Sequence, residues 1–376
     1  MRALLKRYIP TSLRSMVIAA RRRLAGPPID EVVLADYNLA GESSAVPRLN
    51  LVIPNLSRAT AFGGVMTGLD IFFGLAERLR ANGEWDLRII LTEPGRDTDV
   101  AIAEKVAARH GIMPNTITIE LVAPRSASLN MRCHDILIAY NWWCALNVRP
   151  LIEEQARHFG HPPLPLLYLI QEYEPSLYPF STAHMLAREA YDGVGRLWGV
   201  FNSSNLHRWF EHVGHRAERS FVFEPVINDA LRPFLAQVDE HERVRRILVY
   251  GRPNIDRNCF SALVRGLNAW IAQDPDHAAW EIVSAGTSHP PIRLSKGHVI
   301  RTLGKLSLDD YARLMLTSSV GISLMASPHP SYPPLEMAHF GLRTVTNGYF
   351  LKNLENWHIN YNFHRFNKCA ASWKSN

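Results

Sequence analysis

The sequence contains no run of about 18 consecutive apolar residues, and so nothing that reads as a membrane-spanning helix. Cysteine is scarce. Cys133, Cys144, Cys259 and Cys369 are scattered, form no C-x-x-C pair and keep no metal-ligand spacing to histidine, which argues against a disulfide framework or a zinc site and for reduced thiols in a cytosolic chain. Internal repeats of solenoid length and low-complexity tracts are missing too. Acidic residues are absent from the first 26 positions, which hold Arg2, Lys6, Arg7, Arg14, Arg21, Arg22 and Arg23. The formal net charge of +6 is therefore carried by that tail and the rest of the chain is close to neutral, so no nucleic-acid partner is expected.

The basic tail also places Leu5, Ile9, Leu13, Met16, Ala20 and Leu24 near helical spacing, although Pro10 interrupts its first turns. That pattern suits a helix lying on anionic lipid, and equally a solvated tail or a helix packed on the body. Its uncharged stretch from Ser15 to Ala20 is too short for a signal peptide. The expected setting is the cytoplasm, peripheral to the inner face of the membrane through residues 1–26.

What is present is the length and patterning of two α/β domains. With 376 residues, 47% hydrophobic and 20% charged, the chain can build two ordinary globular cores. From residue 48 onward short apolar runs alternate with helical patterns, as in mostly parallel sheets. Strands are predicted over 49–53, 87–91, 117–121, 135–140, 166–170 and 197–201, then over 246–250, 280–285, 320–324 and 343–346. The mixed-charge stretch 228–245, with Pro233, is the best linker. The division is a basic extension over 1–47, a first Rossmann-like domain over 48–227, a second over 228–350, and a terminal segment over 351–376 suited to crossing back onto the first domain. Two such domains facing each other make a cleft with one half-site on each side, beyond the carboxyl ends of the strands.

Several segments fall at those strand ends. Ser327-Pro-His-Pro-Ser-Tyr-Pro-Pro-Leu-Glu336 follows a predicted strand and runs into a helix, where Pro333 and Pro334 fit the first helical positions. An anion is favoured there, and Glu336 can accept hydrogen bonds from a pair of ribose hydroxyls or simply serve the helix dipole. Arg252, with Arg257 second, offers a planar, permanently charged fork for a diphosphate. Lys305 precedes a helix that Ser307 and Asp310 start in a capping-box-like way. On the other side stand Gly63 and Gly64, which permit close backbone approach, and Gln171, Glu172, Tyr173 and Glu174, whose amide, carboxyls and phenol suit sugar hydroxyls. Glu172 or Glu174 is the candidate general base, weighed against service at a helix start.

These residues resemble a known group. Gln171-Glu-Tyr-Glu-Pro175, Arg252-Pro253 with Arg257-Asn258, Gly304-Lys305-Leu306 and above all the Ser327 to Glu336 string look like the WsaF-type rhamnosyltransferases, within the family-4 glycosyltransferases of the two-Rossmann GT-B fold. The resemblance implies transfer of a sugar from a nucleotide donor, dTDP-rhamnose in the family's best-known member, onto a surface polysaccharide or lipid-linked acceptor. It implies that Glu336 holds the donor ribose and that Arg252 and Lys305 meet the diphosphate or nucleoside. Pro328 stands where the broader family has the first glutamate of its E-x7-E motif, so His329, Ser331 or Tyr332 is expected to take over the donor-side contact. No metal or other cofactor is expected, because Arg252, Lys305 and helix N-termini balance the donor's charge. The competing readings are a nucleotide-sugar epimerase of similar shape and a non-catalytic glycan- or nucleotide-binding module.

Overall fold

The computed structural model describes residues 34–57, 63–122, 127–193 and 195–352. The first unit runs β1 (Asn38–Gly41), β2 (Arg48–Ile53), α1 (Gly64–Arg80), β3 (Asp86–Leu91), α2 (Ala101–Arg109), β4 (Ile117–Leu121), β5 (Ser128–Met131), β6 (Asp135–Ala139), α3 (Trp142–Phe159), β7 (Leu166–Ile170), α4 (Thr182–Asp192), β8 (Leu197–Phe201), α5 (Ser204–His212) and β9 (Arg219–Val222). The second runs β10 (Val244–Gly251), α6 (Phe260–Gln273), β11 (Glu281–Gly286), β12 (Ile292–Arg293), β13 (Val299–Gly304), α7 (Leu308–Thr317), β14 (Ser318–Ile322), α8 (Tyr332–His339) and β15 (Arg343–Val345).

The first sheet has the order β4-β3-β2-β6-β7-β8-β9 with all neighbours parallel. Its centre explains itself from sequence. Every residue of β2, Arg-Leu-Asn-Leu-Val-Ile, is buried, as a parallel strand covered on both faces requires. Leu49, Leu51 and Ile53 pack with Leu69, Phe72 and Phe73 of α1 and Val106 of α2. Val52 turns to the opposite face, against Ala145, Val148 and Leu151 of α3. Side-chain caps at Asn141, Ser181 and Ser203 start α3, α4 and α5 by accepting from the N–H three residues on.

The second sheet has the order β12-β13-β11-β10-β14-β15, parallel except for the β12–β13 edge pair. Ile247 and Val249 bury against Leu263, Leu267 and Ile271 of α6. Leu248 faces Ala312, Met315 and Leu316 of α7 and Met337 of α8. In each sheet the chain leaves a central strand toward one edge and returns on its other side, between β2 and β6 in the first and between β10 and β14 in the second. Those reversals open a crevice at the strand carboxyl ends and fix where a ligand is to be sought.

Two expectations need correction, and a third falls on residues that the structure does not describe. The first domain does not begin at residue 48: Tyr37 is buried, the main-chain N–H of Leu39 donates to Glu154 of α3 at 3.1 Å, and β1 pairs with β5. The expected membrane tail, residues 1–26, lies outside the described residues. The stretch 228–245 is not a free linker, since Leu231 is buried in the second core with Phe234, Leu235 and Val238 packed beside it, and β10 already starts at Val244. Elements absent from the sequence reading are the short strands β1 and β5, the exposed edge strand β9, the helix α5 and the β12–β13 hairpin. Among the described residues no helix is long and apolar enough to cross a membrane.

Candidate active site between the two domains

In the second domain, β10 ends at Gly251 and the chain turns out at Arg252. Glycine is demanded beside it: Gly286, at the end of β11, has φ +152, and a Cβ there would lie 2.3 Å from the Gly251 carbonyl oxygen. That approach lets two strand ends close up under the Arg252 side chain. The guanidinium of Arg252 makes no hydrogen bond or ion pair with any described residue. Lys305 follows β13 on the same carboxyl edge, exposed, just before Ser307 caps α7 by accepting from Asp310 N–H at 3.1 Å and donating to its carboxylate. The expected capping pair is present.

The loop after β14 runs to α8, which begins at Tyr332 with proline at its second position. Pro333 and Pro334 do occupy the first turn, but they also remove two of its N–H groups, so this helix start offers an anion less than its position suggests. Ser331, which precedes the helix, is buried at φ 73, a conformation disfavoured for a residue with a Cβ. His329 holds that turn: its Nδ1 accepts from Ser331 N–H at 3.0 Å, leaving the ring proton on Nε2, which faces the Asn202 backbone without a hydrogen bond of good geometry. Burial, helped by Lys352 and Arg257, pushes His329 down to about 3, so the ring is neutral. His329 and Ser331 are therefore loop-building residues rather than free donor-sugar contacts. Tyr332 stacks obliquely on the His329 ring at 5.7 Å between centroids.

Glu336 is different in kind. Its half-buried carboxyl makes no hydrogen bond or ion pair with any described residue, and burial raises it from near 4.5 to about 7. The phenol of Tyr311 on α7 lies beside it, buried and unpartnered, with Tyr250 of β10 adjacent. Unpaired polar groups at a crevice are unusual in a folded interior and mark a place completed by a ligand.

In the first domain, Gly63 takes φ +45 at the start of α1, and no side chain caps that helix. Above Gly64 the Tyr140 hydroxyl and the Gln171 side chain converge, 2.9 and 3.2 Å from where a Cβ would stand. Gly63, Gly64 and Gln171 are thus brought together at the ends of β2, β6 and β7, and Tyr140 joins them although the sequence reading did not single it out.

The other acceptor-side candidates separate. Tyr173 is buried, with its hydroxyl 3.2 Å from His215 Nε2, and packs on Tyr191 and Trp209; it belongs to the core, not to a sugar. Glu174 is turned inward, accepting from the Tyr168 hydroxyl and from the Trp142 backbone, while Tyr191 bonds its N–H at 3.2 Å. Burial raises Glu174 to about 8, which favours its protonated form at neutral pH.

Glu172 reaches across the cleft. Its Oε1 accepts from Tyr173 N–H at 3.0 Å and from the Ser327 hydroxyl of the second domain. Burial raises its pKa, opposed by Ser327, Arg257 and Lys352. Arg257 thus sits near Glu172 rather than at the Arg252 edge, and its carbonyl accepts from Ala326 N–H at 2.7 Å. Lys352, in the terminal segment, was not anticipated: it is buried, donates to the Met325 carbonyl at 2.8 Å, and burial lowers it to about 8. Phe350 packs on Trp209 of α5 with 4.7 Å between ring centroids and Tyr349 lies 6.0 Å from it, while the terminal segment expected to cross back lies, from residue 353 on, outside the described residues. Two Asp-x-Asp pairs occur, Asp97-Thr98-Asp99 and Asp274-Pro275-Asp276. Asp99 accepts from Ala101 N–H and Asp97 approaches Asn55; Asp274 accepts from Trp270 Nε1 and Asp276 N–H.

Residues 48–204 match the profile described as WsaF, N-terminal domain, and residues 245–369 match that described as WsaF, C-terminal domain. The chain belongs to the WsaF family. The boundary between the two matches falls where the second sheet begins, and both halves of the cleft lie inside them. The O-antigen biosynthesis protein RfbC of Myxococcus xanthus is 30% identical over 293 residues, covering 76% of this chain and 21% of that protein. The chain thus spans about a fifth of the length of that curated relative. Among solved structures, sucrose-phosphate synthase from Thermosynechococcus elongatus matches with TM-score 0.46 and 13% identity over 80% of this chain and 81% of that one. A glycosyltransferase from Rickettsia africae matches with TM-score 0.42 and 16% identity, covering 85% and 83%.

Proposed function

We propose that this WsaF-family chain is a glycosyltransferase of surface-polysaccharide synthesis, moving a rhamnosyl group from dTDP-rhamnose onto a glycan or lipid-linked acceptor. The observation that carries the reading is Glu336: an unpaired, half-buried carboxyl at the reversal point of the second sheet, on the edge where the equally unpaired Arg252 emerges. A carboxylate so placed accepts from two neighbouring ribose hydroxyls, and a guanidinium so placed takes a diphosphate by two parallel hydrogen bonds. Lys305 adds a second positive charge on that edge. Charge neutralisation by these side chains makes metal unnecessary, and addition of a chelator is expected to leave transfer unchanged.

In the reaction the bond between the anomeric carbon and the diphosphate oxygen breaks as a bond forms between that carbon and an acceptor hydroxyl oxygen. The hydroxyl proton passes to a base, and the nucleoside diphosphate leaves carrying the bond electrons. Arg252 stabilises the charge that develops on the leaving oxygen. The acceptor is read onto the first domain, at Gly63, Gly64, Tyr140 and Gln171. Closure of the two domains keeps water from the donor.

The test is a thermal-shift and titration series with dTDP, UDP and GDP, followed by transfer assays with the sugar nucleotide of the base preferred. Stabilisation by dTDP above the others, with rhamnose released from dTDP-rhamnose only when acceptor is present, is the expected result. Preference for UDP or GDP removes the donor assignment, and conversion of the sugar nucleotide without acceptor replaces transfer by epimerisation.

A further inference from the structure

We propose that Glu172 is a positioning residue that latches the first domain to the loop leading into α8, with Ser327 as its counterpart and Lys352 and Arg257 as its countercharges. The inference rests on reading that loop as part of the donor site.

Ser327 lies in a loop between two domains, where a serine is ordinarily wet, yet it is fully buried. Its hydroxyl has both of its roles filled: it donates to Glu172 and accepts from His329 N–H at 2.9 Å. A hydrogen-bond chain therefore runs from the end of β7 in the first domain into the backbone of the loop, two residues from the strained Ser331 turn. Other contacts hold the same loop from within the second domain and the terminal segment, through Ala326 N–H to Arg257 and Lys352 to the Met325 carbonyl.

The electrostatics point the same way. Glu172 is a half-buried acid opposite two cations contributed by other segments, Arg257 before α6 and Lys352 after β15. Buried charges persist only when paired, and removing one partner leaves the others uncompensated. Three chain segments far apart in sequence thus depend on one carboxylate to meet. Both bonds fall on Oε1, so a base would act through Oε2 and leave them in place, and the variants below separate the two roles. The loop is then held in place for a nucleoside diphosphate only while the two domains are in contact.

The test compares Glu172→Ala, Ser327→Ala and their combination in the full chain, with Ser327→Thr and Glu172→Gln as the conservative variants. One arm titrates dTDP, UDP and GDP; the other follows hydrogen exchange at residues 325–331. A latch predicts about tenfold weaker binding of the favoured nucleotide in each single variant, the order expected for a hydrogen bond to a charged group. It also predicts no further loss in the double variant, faster loop exchange, and recovery in Ser327→Thr. Additive losses, or loop exchange unchanged from native, overturn it. So does loss of transfer in Glu172→Ala with binding and exchange intact, which is the signature of a base. Should the native chain bind none of the three nucleotides, the donor reading fails by itself, and loop exchange alone decides the latch. Where Glu172→Ala does not fold, Ser327→Ala and Glu172→Gln carry the comparison.

Discussion

The hydroxyl of Tyr311, buried without a hydrogen-bond partner, sits beside the carboxyl of Glu336, which has none either. Both belong to the second domain, on α7 and α8, and both stand next to Tyr250 at the end of β10 or to each other. Burying polar groups unpaired costs on the order of 1–3 kcal/mol each. The Tyr311 hydroxyl carries that cost at the crevice, whereas the half-buried Glu336 carboxyl keeps part of its contact with water.

Glu336 should make nucleotide binding depend on pH. Its carboxyl titrates near 7 in the free chain, so acceptance of ribose hydroxyls weakens as pH falls below 7 and levels off above it. Glu336→Gln is expected to bind more weakly at pH 8 and to lose that pH dependence, seen by titrating the preferred nucleotide from pH 5.5 to 8.5, limits chosen about one and a half units either side of that value. Stability moves the other way. The folded chain favours the protonated acid, so that contribution is full below about 4.5 and lost as pH rises through 7; Glu336→Gln should therefore melt higher than native at alkaline pH and about equally at acid pH.

Arg252 should be separable from stability. Its guanidinium touches no polar partner among the described residues, so Arg252→Ala is expected to leave the melting temperature within about 1 °C, as for a surface change with little free-energy effect. The same variant should weaken nucleoside diphosphate binding by about tenfold or more, the range for a charge-assisted contact. Arg252→Lys should recover part of the loss but not all, because an ammonium lacks the two-pronged geometry. Equal affinity in native and Arg252→Ala, read by calorimetric titration, takes Arg252 out of the donor site.

Most of the fold was legible in the sequence because buried parallel strands are apolar runs: β4, β7 and β8 coincide with the predicted segments, and β2, β3 and β6 differ only at an end. What escaped was weakly apolar or short. β1 reads Asn-Leu-Ala-Gly and is ordered by pairing with β5, a contact of distant segments that no local pattern announces. The placement of Arg252, Gly64 and Gln171 beyond strand ends and of Glu336 on the helix after β14 was legible, because the apolar runs show where the strands stop. A role was not legible where burial decides it. Tyr173 and Glu174 look from sequence like neighbours of Glu172 with the same prospects, yet one faces His215 and the other Tyr168. Lys352 matters only because its ammonium reaches the carbonyl of Met325, distant in sequence.

The start of the first sheet holds a buried ionic network that should dominate its stability. Asp135 takes Arg48 at 2.7 Å and Asn50 at 3.1 Å, while Arg88 bonds Asn50 at 2.6 Å and Glu120 at 3.0 Å. Asp135→Ala takes the buried carboxylate from between two buried guanidinium groups, leaving Arg48 with Glu42 and Arg88 with Glu120 as their charged partners, and a loss of about 3 kcal/mol is expected. Urea unfolding followed by circular dichroism measures it. A loss below about 1 kcal/mol would mean that water or a local shift replaces the carboxylate.

Glu174 offers the sharpest discrimination between the two acids of the β7 loop. Titrating near 8, it is neutral at pH 7, so Glu174→Gln, which keeps an oxygen able to accept from Tyr168 and the Trp142 backbone, should preserve transfer within about threefold. A general base replaced by an amide would instead lose about a hundredfold or more. The stability profile supplies an independent check. Since folding favours the protonated acid, that stabilisation is complete below about 4.5 and disappears as pH rises through 8. Native chain should therefore lose stability from pH 4.5 to about 8 and level off above it, while Glu174→Gln should lose less over the same range. Parallel melting curves for the two proteins would show Glu174 to be ionised in the folded state, and with it restored as a candidate for the proton transfer.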